Sequence, residues 1–350
     1  MTSFIRLVII IALPVLAFTG TYFYLQSEFN EPASKTDRSD ILVEIKNGIS
    51  FKEICKILED KGVIRNRRFL YLMARLRGSD TRIQAGEYVL QKTMTPKQIL
   101  AKLMSGDVYK RKVTVKEGMS IWEIGKIVEA AGLMKEAEFN KYLNDPALLA
   151  KAGIAAGSFE GYLYPETYYF SRPITAEQII WTMLEEGEKH WPPEYTEQAD
   201  KLGFSRHEIL TLASIIEKES GNKDEQPLIS SVFHNRLAKG IKLQADPTVA
   251  YGIPNFKPPL TKKDLETYTP YNTYINPGLP PGPICNPGES AIHAALFPAK
   301  TNYLFFVADG EGGHIFSATL KEHNAAVAMY KKLLSQKRKR ALEAKQAANQ

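Results

Sequence analysis

The chain has 350 residues, of which 44% are hydrophobic and 24% charged, ordinary values for globular domains that exclude wholesale disorder. This length suits two or three domains. The net charge of +6 permits attraction to an anionic polymer or a membrane surface, but no nucleic-acid-binding signature accompanies it, so nucleic acid is not an expected partner. Two distant cysteines, Cys55 and Cys285, and six histidines without paired spacing predict neither a disulfide framework nor a metal site, and no cofactor is expected.

The N-terminus contains an uncharged apolar run at residues 7–25, preceded by Arg6 and followed by Glu28. A helix of this length spans roughly 28 Å, close to the thickness of a bilayer core. Arg6 places the short N-terminus in the cytoplasm and the rest of the chain outside it. A cleaved signal peptide is the alternative, but its apolar region would be shorter and would end at small residues. We therefore predict a single-pass anchor (residues 1–26) in the cytoplasmic (inner) membrane, followed by a polar linker (27–40).

Residues 43–64 and 113–134 repeat each other, with identical residues at Gly48 and Gly118 and at Ser50 and Ser120. In each copy a short strand ends at a glycine turn, and the serine caps a helix with a glutamate three residues further on. Gly62 or Gly132 then ends the helix. The repeat predicts two strand–turn–helix units.

This pattern resembles the start of a LysM module, a family that binds N-acetylglucosamine polymers, and residues 115–124 match it better than the first copy does. The alternative is a duplicated structural unit without a sugar site, which is favoured for the first copy and remains equally open for the second. Trp122 could stack on a sugar or pack in the core. We predict an N-terminal α+β domain at 41–110 and a LysM-like subdomain at 111–135.

A connecting region (136–204) precedes a helix in which Ser205 and Glu208 form a capping box. Apolar residues recur on one face of this helix, which ends in Glu217-Lys218-Glu219-Ser220. Glu217 and Glu219 lie on opposite flanks of the apolar stripe, and periodicity does not choose between them. Solvated carboxylates at a helix end are the plain alternative for both.

The segment 253–288 is rich in proline, glycine, tyrosine and asparagine, a composition typical of a shaped binding rim. Two strands, near 303–308 and 314–316, and a helix after Ser317 follow it. The basic tail at 336–350 is expected to be a solvated helix. These elements, with the helix before them, predict an α+β catalytic domain at 205–335.

Five segments together resemble the endolytic murein (peptidoglycan) transglycosylases, the YceG-like family: residues 213–220, 243–248, 271–274, 277–282 and 305–314. The resemblance covers nearly the whole chain. It implies a lysozyme-like catalytic glutamate, which maps to Glu219, the second glutamate of Glu-Lys-Glu-Ser. The residues it suggests as substrate-binding are Ser220, Gln244, Asp246, Tyr271 and Asn272. The family often has histidine where this chain has Phe297, so a histidine at that position is not expected to be catalytic.

The resemblance implies an endolytic lytic transglycosylase that cleaves the β-1,4 bond between N-acetylmuramic acid and N-acetylglucosamine in nascent peptidoglycan strands. The products would carry 1,6-anhydro ends, and cleavage would terminate elongation beside peptidoglycan synthases. Two alternatives stay open: a hydrolytic muramidase with Asp246 as base, and a non-catalytic peptidoglycan-binding scaffold. A turn or cap role is preferred for Asp246, and Gln244, Tyr271 and Asn272 could equally serve loop structure.

Overall fold

The computed structural model describes the backbone of residues 2–348 and the side chains of residues 8–337. The side chains of Arg6 and of the basic-tail residues 338–350 therefore lie outside the described part of the chain. Two compact units are present. The first comprises Met1–Lys112 and Tyr169–Thr175, and the second comprises Val113–Tyr168 and Ala176–Gln350.

The first unit is a small sheet covered by helices. Its elements are α1 (Thr2–Asn30), β1 (Ile41–Ile45), α2 (Phe51–Asp60), α3 (Arg67–Leu76), β2 (Gly86–Leu90) and α4 (Pro96–Ser105). β1 and β2 pair antiparallel, with Ile41 opposite Leu90. The predicted first repeat unit is present: Ser50 accepts a hydrogen bond from the backbone N–H of Glu53, and Gly62 follows α2 with a φ of 70°.

Helix α1 is long and apolar enough to cross a membrane over Val8–Asn30, a property that a signal sequence at this position would share. The linker predicted to begin at residue 27 begins later, because α1 continues to Asn30. The reason is tertiary packing: Phe29 is buried in the core of the first unit, and Leu25 packs against the same cluster. The guanidinium of Arg77 lies 4.5 Å from the centre of the Phe29 ring.

The remaining elements begin at the boundary between the units. In chain order they are β3 (Arg111–Thr114), α5 (Ile121–Ala130), α6 (Glu136–Asn140), α7 (Pro146–Lys151), β4 (Thr167–Phe170), α8 (Ala176–Lys189), α9 (Pro193–Leu202), α10 (Arg206–Glu219), a 3-10 turn (Lys223–Glu225), α11 (Gln226–Ala238), α12 (Asp246–Gly252), α13 (Lys262–Glu266), α14 (Glu289–Leu296), β5 (Phe305–Ala308), β6 (His314–Ser317) and α15 (Leu320–Ala348). β3 pairs with β4, and β5 pairs antiparallel with β6. The predicted α+β class is confirmed.

Helix α10 is the centre of the second unit and packs against α14 and α11. The residues of the predicted apolar face, Ile209, Leu212, Ala213 and Ile216, are buried as expected. The rest of the stretch 209–216 is buried as well, because neighbouring elements also cover the other faces of the helix. Its buried hydroxyls are satisfied, because Thr211 donates to the carbonyl of His207 and Ser214 donates to the carbonyl of Thr211, both at 2.7 Å. The buried middle of α10 therefore fixes the position from which its C-terminal residues emerge.

The turn of the second repeat contacts the C-terminal end of α10. The N–H of Gly118 donates to the carbonyl of Asn286 at 2.9 Å, and Lys218 Nζ donates to the carbonyl of Gly118 at 3.3 Å. Ser120 and Glu123 form the predicted capping box of α5 in full. The second repeat therefore packs as part of the second unit.

Candidate active site

Glu219 is the last residue of α10 and opens onto a cavity of about 330 Å³ in the second unit. Elements distant in sequence line this cavity together: the ends of α10 and α11, the turn before α12, and the β5–β6 hairpin. The lining residues are Glu219, Arg236, Leu243, Gln244, Asp246, Tyr274, Phe306, Val307, Ala308, His314 and His323. Three of the predicted site residues, Glu219, Gln244 and Asp246, are thus brought together.

The surroundings of Glu219 favour its protonated form. Burial is the main cause that raises the pKa of Glu219 to about 8, and the negative charge of Asp246 is the second. The positive charge of Arg236 acts in the opposite direction. Within the described residues, no hydrogen bond to the Glu219 carboxyl group stabilises its anion. A carboxylic acid that keeps its proton near neutral pH can act as a general acid.

Arg236 lines the cavity and is held in place by several hydrogen bonds. It is 9% exposed, and its Nε donates to the carbonyl of Leu304 at 2.6 Å. Its Nη1 donates to the carbonyls of Lys242 and Leu243 at 3.2 and 2.8 Å. Because these acceptors are neutral, the positive charge of the guanidinium group is not cancelled and acts on the cavity. The planar guanidinium group also links Leu304, just before β5, to the turn before α12.

Gln244 and Asp246 lie on a turn that two buried threonines hold in place. The N–H of Ala245 donates to Thr273 Oγ1 at 3.0 Å, and the hydroxyls of Thr273 and Thr248 are 2.8 Å apart. Gln244 has a φ of +50°, a left-handed conformation that is uncommon for a residue other than glycine and that clusters at functional sites. Asp246 begins α12 and faces the cavity.

His314 is a cavity residue that the sequence did not single out. Its Nδ1 is 2.7 Å from Glu225 Oε2, and its backbone N–H donates to Glu225 Oε1 at 3.0 Å. The carboxyl group of Glu225 therefore orients the imidazole ring, which packs edge-on to Phe306 with the ring centres 5.4 Å apart. The only signal in the sequence was the Gly312-Gly313-His314 segment of the family resemblance.

The other predicted residues do not line this cavity. Ser220 closes a turn by donating to the carbonyl of Asn222 at 2.7 Å, and Asn272 is buried and donates to the carbonyls of Leu265 and Thr267. Tyr271 lines a second cavity.

Glu217 also lies away from the cavity, and its Oε2 accepts a hydrogen bond from the N–H of Gly288 at 3.2 Å. Burial raises its pKa, while that bond opposes the rise. The two glutamates of Glu-Lys-Glu-Ser thus occupy different environments.

The profile of the YceG-like family matches residues 43–329, so this chain belongs to the YceG-like family. It is 36% identical over 332 residues to the endolytic murein transglycosylase of Bacillus subtilis (strain 168), covering 89% of this chain and 90% of the relative. It is 28% identical over 344 residues to the protein of the same name from Streptococcus pneumoniae serotype 2, covering 88% of this chain and 62% of that longer relative.

A solved structure also resembles this chain. The crystal structure of a YceG-like protein from Listeria monocytogenes superposes with a TM-score of 0.58 at 38% sequence identity. The match covers 82% of this chain and 99% of that chain.

Proposed function

We propose that this chain is an endolytic murein transglycosylase, a peptidoglycan lytic transglycosylase that uses Glu219 as its catalytic residue. The observation that carries the proposal is the position of Glu219: one carboxyl group, raised in pKa, at the end of an enclosed helix and open to a cavity. Membership of the YceG-like family and the names of its relatives support the same reaction class.

In the proposed reaction, protonated Glu219 gives its proton to the glycosidic oxygen between N-acetylmuramic acid and N-acetylglucosamine. The bond breaks, and positive charge develops at C1 of the muramyl ring. The carboxylate of Glu219 then takes the proton from the C6 hydroxyl of the same sugar, and that oxygen bonds to C1. Water is not consumed, the product carries a 1,6-anhydro end, and Glu219 recovers its proton.

The electrostatic field of the cavity suits this sequence of charges. The negative charge of Asp246 raises the pKa of Glu219, and it also stabilises the positive charge that develops on the sugar. Gln244 supplies an amide at the cavity wall, and the oriented ring of His314 supplies a further polar group. We propose that these side chains bind the polar substituents of the sugar beside the scissile bond.

Hydrolysis is the second candidate, because Asp246 lies in the same cavity as Glu219 and two carboxyl groups suffice for a hydrolytic glycosidase. Mass spectrometry of products from purified, uncrosslinked glycan strands separates the two reactions. Transglycosylation gives anhydro ends, whereas hydrolysis gives reducing ends that are heavier by one water molecule. Strand binding without any product would instead identify a non-catalytic scaffold.

We further propose that residues 7–25 anchor the protein in the cytoplasmic membrane, with the catalytic domain on the outer side, where it would meet nascent strands and peptidoglycan synthases. Termination of strand elongation would be the physiological result. A reporter fused after Gln350 that is active only in the exported compartment tests the topology. Activity of a cytoplasmic reporter, or a mature protein beginning near residue 25, would contradict it.

A further inference from the structure

The second unit contains another cavity, of about 310 Å³, next to the start of α5. Four of its lining residues carry aromatic rings (Trp122, His207, Tyr251 and Tyr271), and a buried carboxyl group (Glu160) lies among them. Trp122 is 42% exposed, so its ring is open to a ligand and not fully packed in the core. Aromatic faces combined with a few fixed polar groups are the usual lining of a small-molecule site.

The wall of this second cavity is held rigidly. Glu160 is 1% exposed and accepts hydrogen bonds from the N–H of Ile121 and from Tyr251 Oη, both at 3.1 Å. This carboxyl group therefore joins the first turn of α5 to the last turn of α12. The rings of Tyr251 and Tyr271 are 4.9 Å apart. A site fixed in this way loses little conformational entropy when it binds a ligand.

His207 completes the wall in a fixed orientation. Its Nδ1 is 2.8 Å from Tyr162 Oη, and its Nε2 is 2.9 Å from the carbonyl oxygen of Pro281. The wall also needs a close backbone approach at Gly161, where φ is +85° and an added Cβ would lie 2.4 Å from atoms of Pro283. The loop 281–283 is thereby held against the segment that carries Glu160.

One helix joins the two cavities. Asp246, at the first position of α12, lines the Glu219 cavity, and Tyr251, five residues later, lines the aromatic cavity. At 1.5 Å per residue these positions are roughly 8 Å apart along the helix axis. The loop that packs beside α12 repeats the arrangement, because Tyr274 lines the first cavity and Tyr271 the second. An extended ligand could therefore contact both cavities.

We propose that the aromatic cavity is a second saccharide-binding site that holds the same glycan strand to one side of the bond cut at Glu219. Pyranose rings present apolar C–H faces that stack on aromatic rings, and their hydroxyl and N-acetyl groups bond to fixed polar atoms. Such a site increases the affinity for strands that extend past the cleavage point, as an endolytic enzyme requires. The inference rests on the proposed function and assigns a strand contact to Trp122 and Tyr271.

The test uses the full chain carrying Glu219→Gln, so that bound strands are not cut. Affinities are measured for alternating N-acetylglucosamine and N-acetylmuramic acid oligosaccharides of two sugars, which fill the Glu219 site alone, and of eight sugars. In this background, Trp122→Ala and Tyr271→Ala should each reduce the preference for the eight-sugar strand roughly three- to tenfold, the range expected for one aromatic contact. The matched control is Tyr268→Ala, because Tyr268 is 71% exposed on the same loop and lines neither cavity.

An unchanged preference in both variants overturns the proposal, and so does an equal loss for the two lengths, which would place these residues in the Glu219 site or in the fold. Circular dichroism and thermal unfolding show whether each variant is folded, and Trp122→Phe, which keeps a ring, should restore part of the preference. Failure of the proposed function gives a different result, because the unsubstituted chain would then release no product. The binding experiment would still show whether the aromatic cavity binds the strand.

Discussion

The hydroxyl group of Tyr274 donates a hydrogen bond of 2.7 Å to Oδ1 of Asp246. The bond holds the Asp246 carboxylate at the mouth of the cavity into which Glu219 opens, where its negative charge raises the pKa of Glu219. The two carboxyl groups therefore differ in environment: Asp246 is exposed and hydrogen-bonded, whereas Glu219 is partly buried. The burial of Glu219 and the charge beside it favour the protonated form of Glu219, as a general acid requires.

The pH dependence of activity should follow Glu219, because the proposed reaction begins from its protonated form. Activity of the unsubstituted chain should fall as the pH rises through about 8. Asp246→Asn removes a neighbouring negative charge, which favours ionisation of Glu219, so its pKa decreases and the alkaline limb moves to lower pH. The kcat/KM profile of each protein measures the shift. Asp200→Asn, on the surface of α9, is the control, and coincident alkaline limbs for the Asp246 variant and the unsubstituted chain would contradict the assignment.

Glu219→Gln should abolish nearly all transglycosylase activity. Glutamine keeps the size of the side chain but cannot deliver a proton, and general acid–base catalysis is typically worth ~10² to 10⁴ in rate. Since one group is proposed to act as both acid and base, the loss should be at or beyond the upper end. Release of 1,6-anhydro products from uncrosslinked strands measures it.

Glu217→Gln is the matched control, two residues away on the same helix. Its amide oxygen can still accept the hydrogen bond from Gly288, so activity should stay within about threefold, as expected when one neutral hydrogen bond is exchanged for another. Equal losses in the two variants would indicate a structural pair, and a loss confined to Glu217→Gln would transfer the catalytic role to that residue.

Arg236→Met should lower the free energy of unfolding by about 2–4 kcal/mol and should also reduce activity. The substitution leaves the buried carbonyl of Leu243 and the partly buried carbonyl of Leu304 without their donor, at about 1 kcal/mol or more for each lost bond. Urea unfolding measures the stability change. Lys239→Met, an exposed cation just past the same helix, should change it by less than about 0.5 kcal/mol, and comparable effects in the two variants would refute the structural role of Arg236.

The start of the folded region should lie before Phe29. A chain that begins at residue 25 retains the Phe29 contact with the first core, whereas a chain that begins at residue 31 loses it. The shorter chain should be less stable by about 3–5 kcal/mol, the usual cost of removing a buried phenylalanine side chain. Urea unfolding of the two chains gives the difference, and Phe29→Ala in the longer chain should reproduce most of it. Equal stabilities would mean that the Phe29 contact contributes nothing.

Several features were determined by the sequence itself, because their physical causes are local. The capping boxes at Ser120 and Ser205 use a serine and a glutamate three residues apart, so they predict where α5 and α10 begin. Glycines that adopt positive φ after the helices marked where the repeat units turn. The length and apolarity of α1 likewise follow from consecutive residues.

The tertiary structure decided what depends on residues far apart in the chain. Periodicity left Glu217 and Glu219 equivalent, and only the packing of distant elements pairs one with Gly288 and opens the other to a cavity with Arg236 and His314. Packing also extended α1 to the buried Phe29, buried all of residues 209–216 in α10 and divided the Tyr271–Tyr274 segment between two cavities. The physical reason is that burial, pKa and cavity shape are properties of the surrounding atoms, and in this protein those atoms come from elements that meet only when the chain has folded.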